Sequence, residues 1–165
     1  MTEETHMLTA MPVNWLGWDF NILRDDQELA RIDHWWLLAR ASLTLGDEEF
    51  DALRDGIAGP YLLRTGGRTF ASAIKLGPFK RSFDIDWTGG QLALNAGMAF
   101  GVKYDVFRDG ALIGRIDRTS FFLRTVVIDL PEYIPAVVQV FAFWLVLALW
   151  RHPMEHSYST RVRRN

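Results

Sequence analysis

The sequence contains no cysteine and no marked excess of charge of either sign. Without cysteine the chain can form no disulfide framework, no thiolate zinc site and no cysteine nucleophile, which fits a reducing compartment. The formal net charge of −2 argues against a nucleic-acid binder, because such proteins usually carry a strong basic excess. Residues 1–11 lack the basic start and apolar run of a signal peptide, so we expect a cytoplasmic protein.

Motifs for catalysis and for metal binding are also lacking. No Walker or dinucleotide phosphate loop is present, and no serine lies in a nucleophile elbow. His152 and His156 have helical spacing, but Pro153 lies between them and no third ligand is near in the sequence. Asp84 and Asp86 alternate along a strand, and two carboxylates fall short of the roughly six to eight oxygens that calcium takes. We therefore predict no enzyme activity, no metal site and no cofactor.

Aromatic residues and turn signals indicate a domain that is mainly β. Seven Trp and eleven Phe are a heavy load for 165 residues, and such rings suit strands or a tight barrel interior. From Tyr61 onward, turn signals break the chain about every 10–20 residues, as an antiparallel meander requires. These signals are Gly66-Gly67, Gly77-Pro78, Gly89-Gly90 and Asp109-Gly110.

The first third of the chain predicts strands and one short helix. Residues 15–23 and 28–33 flank a polar turn at 24–27, which indicates a hairpin, and residues 35–45 fit one or two further strands. A helix is expected next, because Asp47 is a suitable N-cap and acidic residues follow it in the first turn. Its other signals are Glu48, Glu49, the pair Phe50 and Leu53 on one face, and Gly56 as a stop.

An ungapped internal repeat relates two parts of the chain. At an offset of 84 positions, residues 20–40 align with residues 104–124, and six of the 21 positions are identical. Ordinary residue frequencies would give about one identity at a single offset. We predict that segments 24–31 and 108–115 form equivalent hairpins in two halves of one closed sheet, because closure removes exposed strand edges.

The segment from Tyr133 to Trp150 contains no charged residue. Pro135 suits the first turn of a helix, and Arg151 lies where a cation favours a helix C-terminus. A helix that is apolar on every face must lie either in lipid or inside a protein core. Its length of about 27 Å is marginal for a hydrocarbon layer of about 30 Å. Gln139 and the need to fill a barrel favour the buried alternative.

These features together resemble the tubby C-terminal-like superfamily, which includes the LURP-one-related proteins and the phospholipid scramblases. The residues that carry the resemblance are the run from Tyr104 to Ile116, the run from Val126 to Pro131, and the apolar helix that follows. The resemblance covers about residues 15–150. It implies a closed, mostly antiparallel barrel of about twelve strands around a central hydrophobic C-terminal helix. It also implies binding of phosphoinositides through basic residues, whereas the acidic loop of scramblases has no counterpart here.

The domain boundaries follow from these assignments. We predict an N-terminal extension over residues 1–14 and the barrel domain over residues 15–152, with the buried helix at about 135–151. Residues 153–165 form a basic C-terminal tail, which we expect to be disordered.

One basic stretch is a candidate ligand site. Between Arg64 and Arg81 the chain has no acidic residue but five basic ones, which are Arg64, Arg68, Lys75, Lys80 and Arg81. A solvated surface explains many such runs, but an anion that neutralises clustered like charges binds favourably. We therefore expect a non-catalytic binding module for anionic phospholipid head groups or another phosphorylated ligand, peripheral to the membrane. The alternative is a structural or regulatory protein that binds a protein partner through barrel loops or the Arg-rich tail.

Overall fold

The computed structural model describes residues 7–35, 39–77, 80–97, 103–119 and 124–151. These residues form twelve strands followed by one helix. The elements are β1 (Leu8–Pro12), β2 (Phe20–Arg24), β3 (Gln27–Trp35), β4 (Arg40–Leu45), β5 (Glu48–Arg54), β6 (Tyr61–Thr65), β7 (Arg68–Lys75), β8 (Ser82–Trp87), β9 (Gly90–Ala96), β10 (Lys103–Arg108), β11 (Ala111–Arg118), β12 (Val126–Asp129) and α1 (Ala136–Arg151). Each strand pairs antiparallel with its neighbours in the chain, and the pairing of β1 with β12 closes the barrel. The predicted fold class is confirmed.

Helix α1 fills the barrel, so the buried alternative for the apolar segment is correct. Phe143 and Leu147 are fully buried, and the ring of Phe143 meets that of Phe20 edge-on with centroids 5.2 Å apart. Gln139 is buried too, but its Nε2 donates to the carbonyl oxygen of Ile134 at 2.9 Å. Within the described part of the chain, no helix combines the length and the apolar run that crossing a bilayer requires.

The internal repeat is confirmed as a pair of equivalent hairpins. Hairpin β2–β3 turns at Asp25 and Asp26, and hairpin β10–β11 turns at Asp109 and Gly110, all with positive φ. Both hairpins carry a β-bulge at the same distance from the turn, so their registers match at the offset of 84. A bulge increases the local twist, which helps a sheet to close.

Hairpin β6–β7 has the same turn length and the same bulge. The extra residue at the bulge is Leu29, Phe70 or Ile113 in the three hairpins, and each of these side chains packs against the core. Because the three hairpins are four strands apart in a ring of twelve, they divide the barrel into thirds. The repeat seen in the sequence is therefore two of three such hairpins, and the predicted arrangement in two halves of the sheet is wrong.

The repeated Arg and Asp residues form ion pairs that differ between the two copies. Arg31 Nε lies 2.8 Å from Asp33 Oδ1 on its own strand. The equivalent Arg115 instead lies 2.9 Å from Asp105 on the neighbouring strand, opposite it in register. All four side chains are partly exposed, so solvent screens both pairs and we expect each to contribute little to stability.

Two sequence predictions about element boundaries are wrong. The predicted helix after Asp47 is strand β5, which pairs with β4 and β6, so the burial of Phe50 and Ala52 follows the strand period of two. The barrel also begins before residue 15, because β1 lies within the predicted N-terminal extension and pairs with β12. The predicted tail at 153–165 lies outside the described residues.

Candidate anion-binding site

The strand order gives the barrel two chemically different ends. At one, which we name the turn end, two-residue turns join the strands at 25–26, 46–47, 66–67, 88–89 and 109–110. At the other, which we name the loop end, the connections are longer, and those at 13–19 and 55–60 are described throughout. Helix α1 follows β12 at the turn end and reaches Trp150 at the loop end, where that ring contacts Tyr104 with centroids 6.3 Å apart.

The structure divides the five basic residues of the predicted site between the two ends. Arg64 and Arg68 flank the turn at 66–67, whereas Lys75 ends β7 at the loop end. Lys80 and Arg81 follow in the connection to β8 and are exposed. The eight residues of β7 separate the two groups by about 23 Å at a strand rise of ~3.3 Å per residue. One ligand of head-group size therefore cannot contact all five side chains.

Lys75 and Arg81 extend the interior rows of their strands to the barrel mouth at the loop end. Side chains alternate along a strand, and the buried Ala71 and Ala73 place Lys75 on the interior face of β7. Lys75 pairs in register with the buried Phe83, and Arg81 precedes Phe83 by two residues. Both cations are thus directed toward the barrel axis where α1 leaves it.

Arg54 joins them, although it lies outside the basic stretch of the sequence. It ends the interior row of β5 after Phe50 and Ala52, and its guanidinium lies 5.2 Å from the ring centroid of Tyr61. Arg54 Nε also donates a long hydrogen bond of 3.5 Å to the carbonyl oxygen of Gly59. We name Arg54, Lys75 and Arg81 the mouth cations.

The mouth cations repel one another. The pKa of Lys75 is lowered from its ordinary value, first by burial and then by the positive charges of Arg54 and Arg81. Among the residues described, no salt bridge joins any of the three to a carboxylate. The fold tolerates them partly because the C-terminal carbonyls of α1 carry partial negative charge at the same end. An anion bound here would remove the remaining repulsion.

Two further arginines extend the positive charge around the mouth. Arg118 ends β11, and Arg124 lies shortly before β12. The pKa of Arg124 is lowered by burial and then by Arg118. Its guanidinium lies 4.9 Å from the ring centroid of Trp18, and its Nη1 donates to the carbonyl oxygen of Trp15 at 3.0 Å. Arg124 therefore stabilises the 13–19 loop through these contacts.

Arg64 lines a different feature, a groove of about 510 Å³ on the outer wall. Asp51 and Glu49 also line this groove, and Arg40 Nη2 lies 3.2 Å from Asp51 Oδ1. The mixed charge of the lining makes the groove a poorer anion site than the mouth cations, because the two carboxylates repel an anion.

The described residues offer no group of three side chains suited to a metal ion. Asp84 and Asp86 are exposed on the outer face of β8, where they pair in register with Ile74 and Ser72. His152 and His156 lie outside the described residues.

Comparison with family models, with curated proteins and with solved structures found no match to this chain.

Proposed function

We propose that this barrel is a non-catalytic binding module that takes anionic phospholipid head groups at its loop end. The observation that carries the proposal is the convergence of Arg54, Lys75 and Arg81 on the barrel mouth without a carboxylate partner in the described part of the chain. A phosphate group supplies the missing negative charge, and the planar arginine fork matches its oxygens.

The charge distribution along the barrel axis favours a membrane-bound phosphate over a free one. Among the residues described, the connections and the two strand positions on either side of them carry an excess of opposite charge at the two ends. Acidic side chains outnumber basic ones ten to four at the turn end, and basic side chains outnumber acidic ones eight to three at the loop end. The turn-end acids are Asp25, Asp26, Glu28, Asp47, Glu48, Glu49, Asp86, Asp109, Asp129 and Glu132, and the bases are Arg24, Arg64, Arg68 and Arg108.

The loop-end bases are Arg40, Arg54, Lys75, Lys80, Arg81, Lys103, Arg118 and Arg124, and the acids are Asp19, Asp55 and Asp117. A negatively charged surface attracts one end of such a molecule and repels the other, so it orients the barrel as it binds. The resemblance of the sequence to the tubby C-terminal-like superfamily supports the same class of ligand, and membership of that superfamily is part of this proposal.

Vesicle flotation with two matched variants tests the proposal. K75Q/R81Q removes two positive charges from the loop end, and R64Q/R68Q removes two from the turn end. At about 1 kcal/mol per basic residue near an anionic surface, the first variant should bind phosphatidylserine-containing vesicles roughly 30-fold more weakly at low salt. The second should bind like the wild type, and neither should bind pure phosphatidylcholine vesicles.

Thermal unfolding midpoints of the wild type and both variants serve as the folding control. Equal binding by K75Q/R81Q and the wild type would contradict a role for the mouth cations. Absence of wild-type binding would instead favour the second candidate function, recognition of a protein partner at the loop end. The exposed ring of Trp35, which ends β3 there, is of a type enriched at protein interfaces.

A further inference from the structure

Exposed apolar side chains are concentrated at the loop end. Trp15 is 74% exposed, Leu16 88% and Ile57 95%, and all three lie in its connections. The turn end has Met7, Leu112 and Tyr133, which are less exposed than these three, and its two-residue turns consist of Asp, Gly and Thr. Single apolar residues are common on the surface of soluble proteins. Here, however, the loop end carries Trp15, Leu16 and Ile57, which we name the apolar tips, together with the mouth cations.

The 13–19 loop holds Trp15 and Leu16 outward on a fixed backbone. The amide of Val13 donates to the carbonyl oxygen of Asp19 at 2.9 Å, which closes the base of the loop. The carboxylate of Asp19 in turn accepts the amide of His34 at 2.7 Å. With the bond from Arg124 to the carbonyl of Trp15 described above, one bond within the loop and two from outside it anchor this segment.

The 55–60 loop presents Ile57 in a similar way. The amide of Asp55 donates to the carbonyl oxygen of Pro60 at 2.8 Å, so the base of this loop is closed as well. Gly56 has a φ of +70°, which turns the chain immediately before Ile57. Arg54 directly precedes the loop, so a mouth cation and an apolar tip are near neighbours in the chain. The two loops are four strands apart in the ring of twelve, which spaces the tips around the mouth.

We propose that the barrel docks end-on to an anionic bilayer, with Trp15, Leu16 and Ile57 inserted into the interfacial layer around the mouth cations. This rests on the proposed function and adds to it that apolar side chains of the loop end enter the bilayer beside the head groups. The apolar tips would then lie below the phosphates that the cations contact. Tryptophan favours the boundary between head groups and acyl chains, and the acidic turn end faces away from the membrane.

The absence of cysteine allows a direct measurement of insertion. Single variants L16C, I57C and L112C carry an environment-sensitive nitrobenzoxadiazole label, and each is mixed with phosphatidylserine-containing vesicles. We expect a blue shift and increased emission at positions 16 and 57 and no change at position 112, which lies at the turn end. Equal changes at all three positions would overturn the end-on orientation.

A second measurement separates insertion from head-group binding. L16S/I57S should bind these vesicles at least roughly tenfold more weakly, since burial of each apolar side chain is lost. The same variant should respond to inorganic phosphate like the wild type, as followed by the NMR signal of the Lys75 side chain. Unchanged vesicle binding and an unshifted label at position 16 would overturn insertion but leave head-group binding standing. If the wild type itself shows no response to inorganic phosphate, the proposed function is overturned.

Discussion

The two ends of the barrel are made from the same twelve strands but differ in backbone geometry, in the length of their connections and in the residues they expose. At the turn end, Asp25, Asp26 and Asp109 have φ values of 50°, 61° and 52°, and glycines occupy other positive-φ positions. Such turns match the twist of a hairpin but accept few residue types. At the loop end the connections are longer, and they carry Trp15, Leu16 and Ile57 in exposed positions.

The difference shows where this fold leaves room for function. Backbone geometry selects the residues of the turn end, so their repetition along the chain reports on folding rather than on a ligand. In longer connections fewer positions are restricted in this way, and a rigid barrel can position binding groups on them. The net charge of −2 conceals this division, because the acidic excess of one end nearly cancels the basic excess of the other.

The largest loss of stability is expected from a charge placed inside the barrel, between its two ends. Phe143 is fully buried on α1, so F143D would bury an unpaired carboxylate at a cost of several kcal/mol against a total stability of about 5–15 kcal/mol. We expect loss of the folded state in far-UV circular dichroism and in thermal unfolding. L16D at the exposed loop tip is the control and should unfold like the wild type. A folded F143D variant would contradict the burial of α1 inside the barrel.

A smaller effect is expected from a side chain added at the turn end. Gly110 has a φ of +78° and no atom within 4 Å of an added Cβ, so G110V introduces backbone strain without a clash. A branched residue in this conformation should lower the free energy of unfolding by about 1–3 kcal/mol. Urea denaturation measures this loss, with A111V in the adjoining strand as the control. Equal stability of the two variants would contradict our view that geometry selects the turn residues.

The smallest effect concerns the ionisation of Lys75 at the loop end. Because burial, Arg54 and Arg81 lower its pKa in the folded protein, the unfolded chain binds more protons between that lowered pKa and the ordinary lysine value. Stability should therefore rise with pH across this window in the wild type relative to K75M. Urea denaturation as a function of pH measures the difference. A difference that falls with rising pH would mean that a negative charge, rather than Arg54 and Arg81, dominates around Lys75.

Much of the fold was predictable from the sequence because the signals were local. The turn at 109–110 identifies a hairpin, and the charge-free run up to Trp150 identifies an apolar helix, without reference to the rest of the chain. The choice between lipid and a protein core for that helix depended on the strands that precede it. Strand β1 was missed because its assignment depends on a partner far away in sequence. Leu8 pairs with Ile128, and no local pattern over residues 8–12 records that contact.

The candidate site was only partly predictable, for a related reason. Lys75 and Arg81 were found as neighbours in a basic stretch, but Arg54 was hidden by the incorrect helix after Asp47. The spacing of Phe50 and Leu53 suggested a helical face, whereas pairing with β4 and β6 enforces a strand. With the strand assignment, the alternation of Phe50, Ala52 and Arg54 would have placed this arginine at the barrel mouth.

The position of α1 after all twelve strands has a consequence for biosynthesis. A ribosome releases the chain from its N-terminus, so the strands emerge before the helix that fills them. Until Phe143 and Leu147 emerge, the interior faces of the strands have no native partner from α1 and expose apolar surface. The final pairing of β1 with β12 joins residues near opposite ends of the domain, which slows closure further. We therefore expect this domain to reach its native state late in synthesis and to benefit from chaperones that shield apolar strands until then.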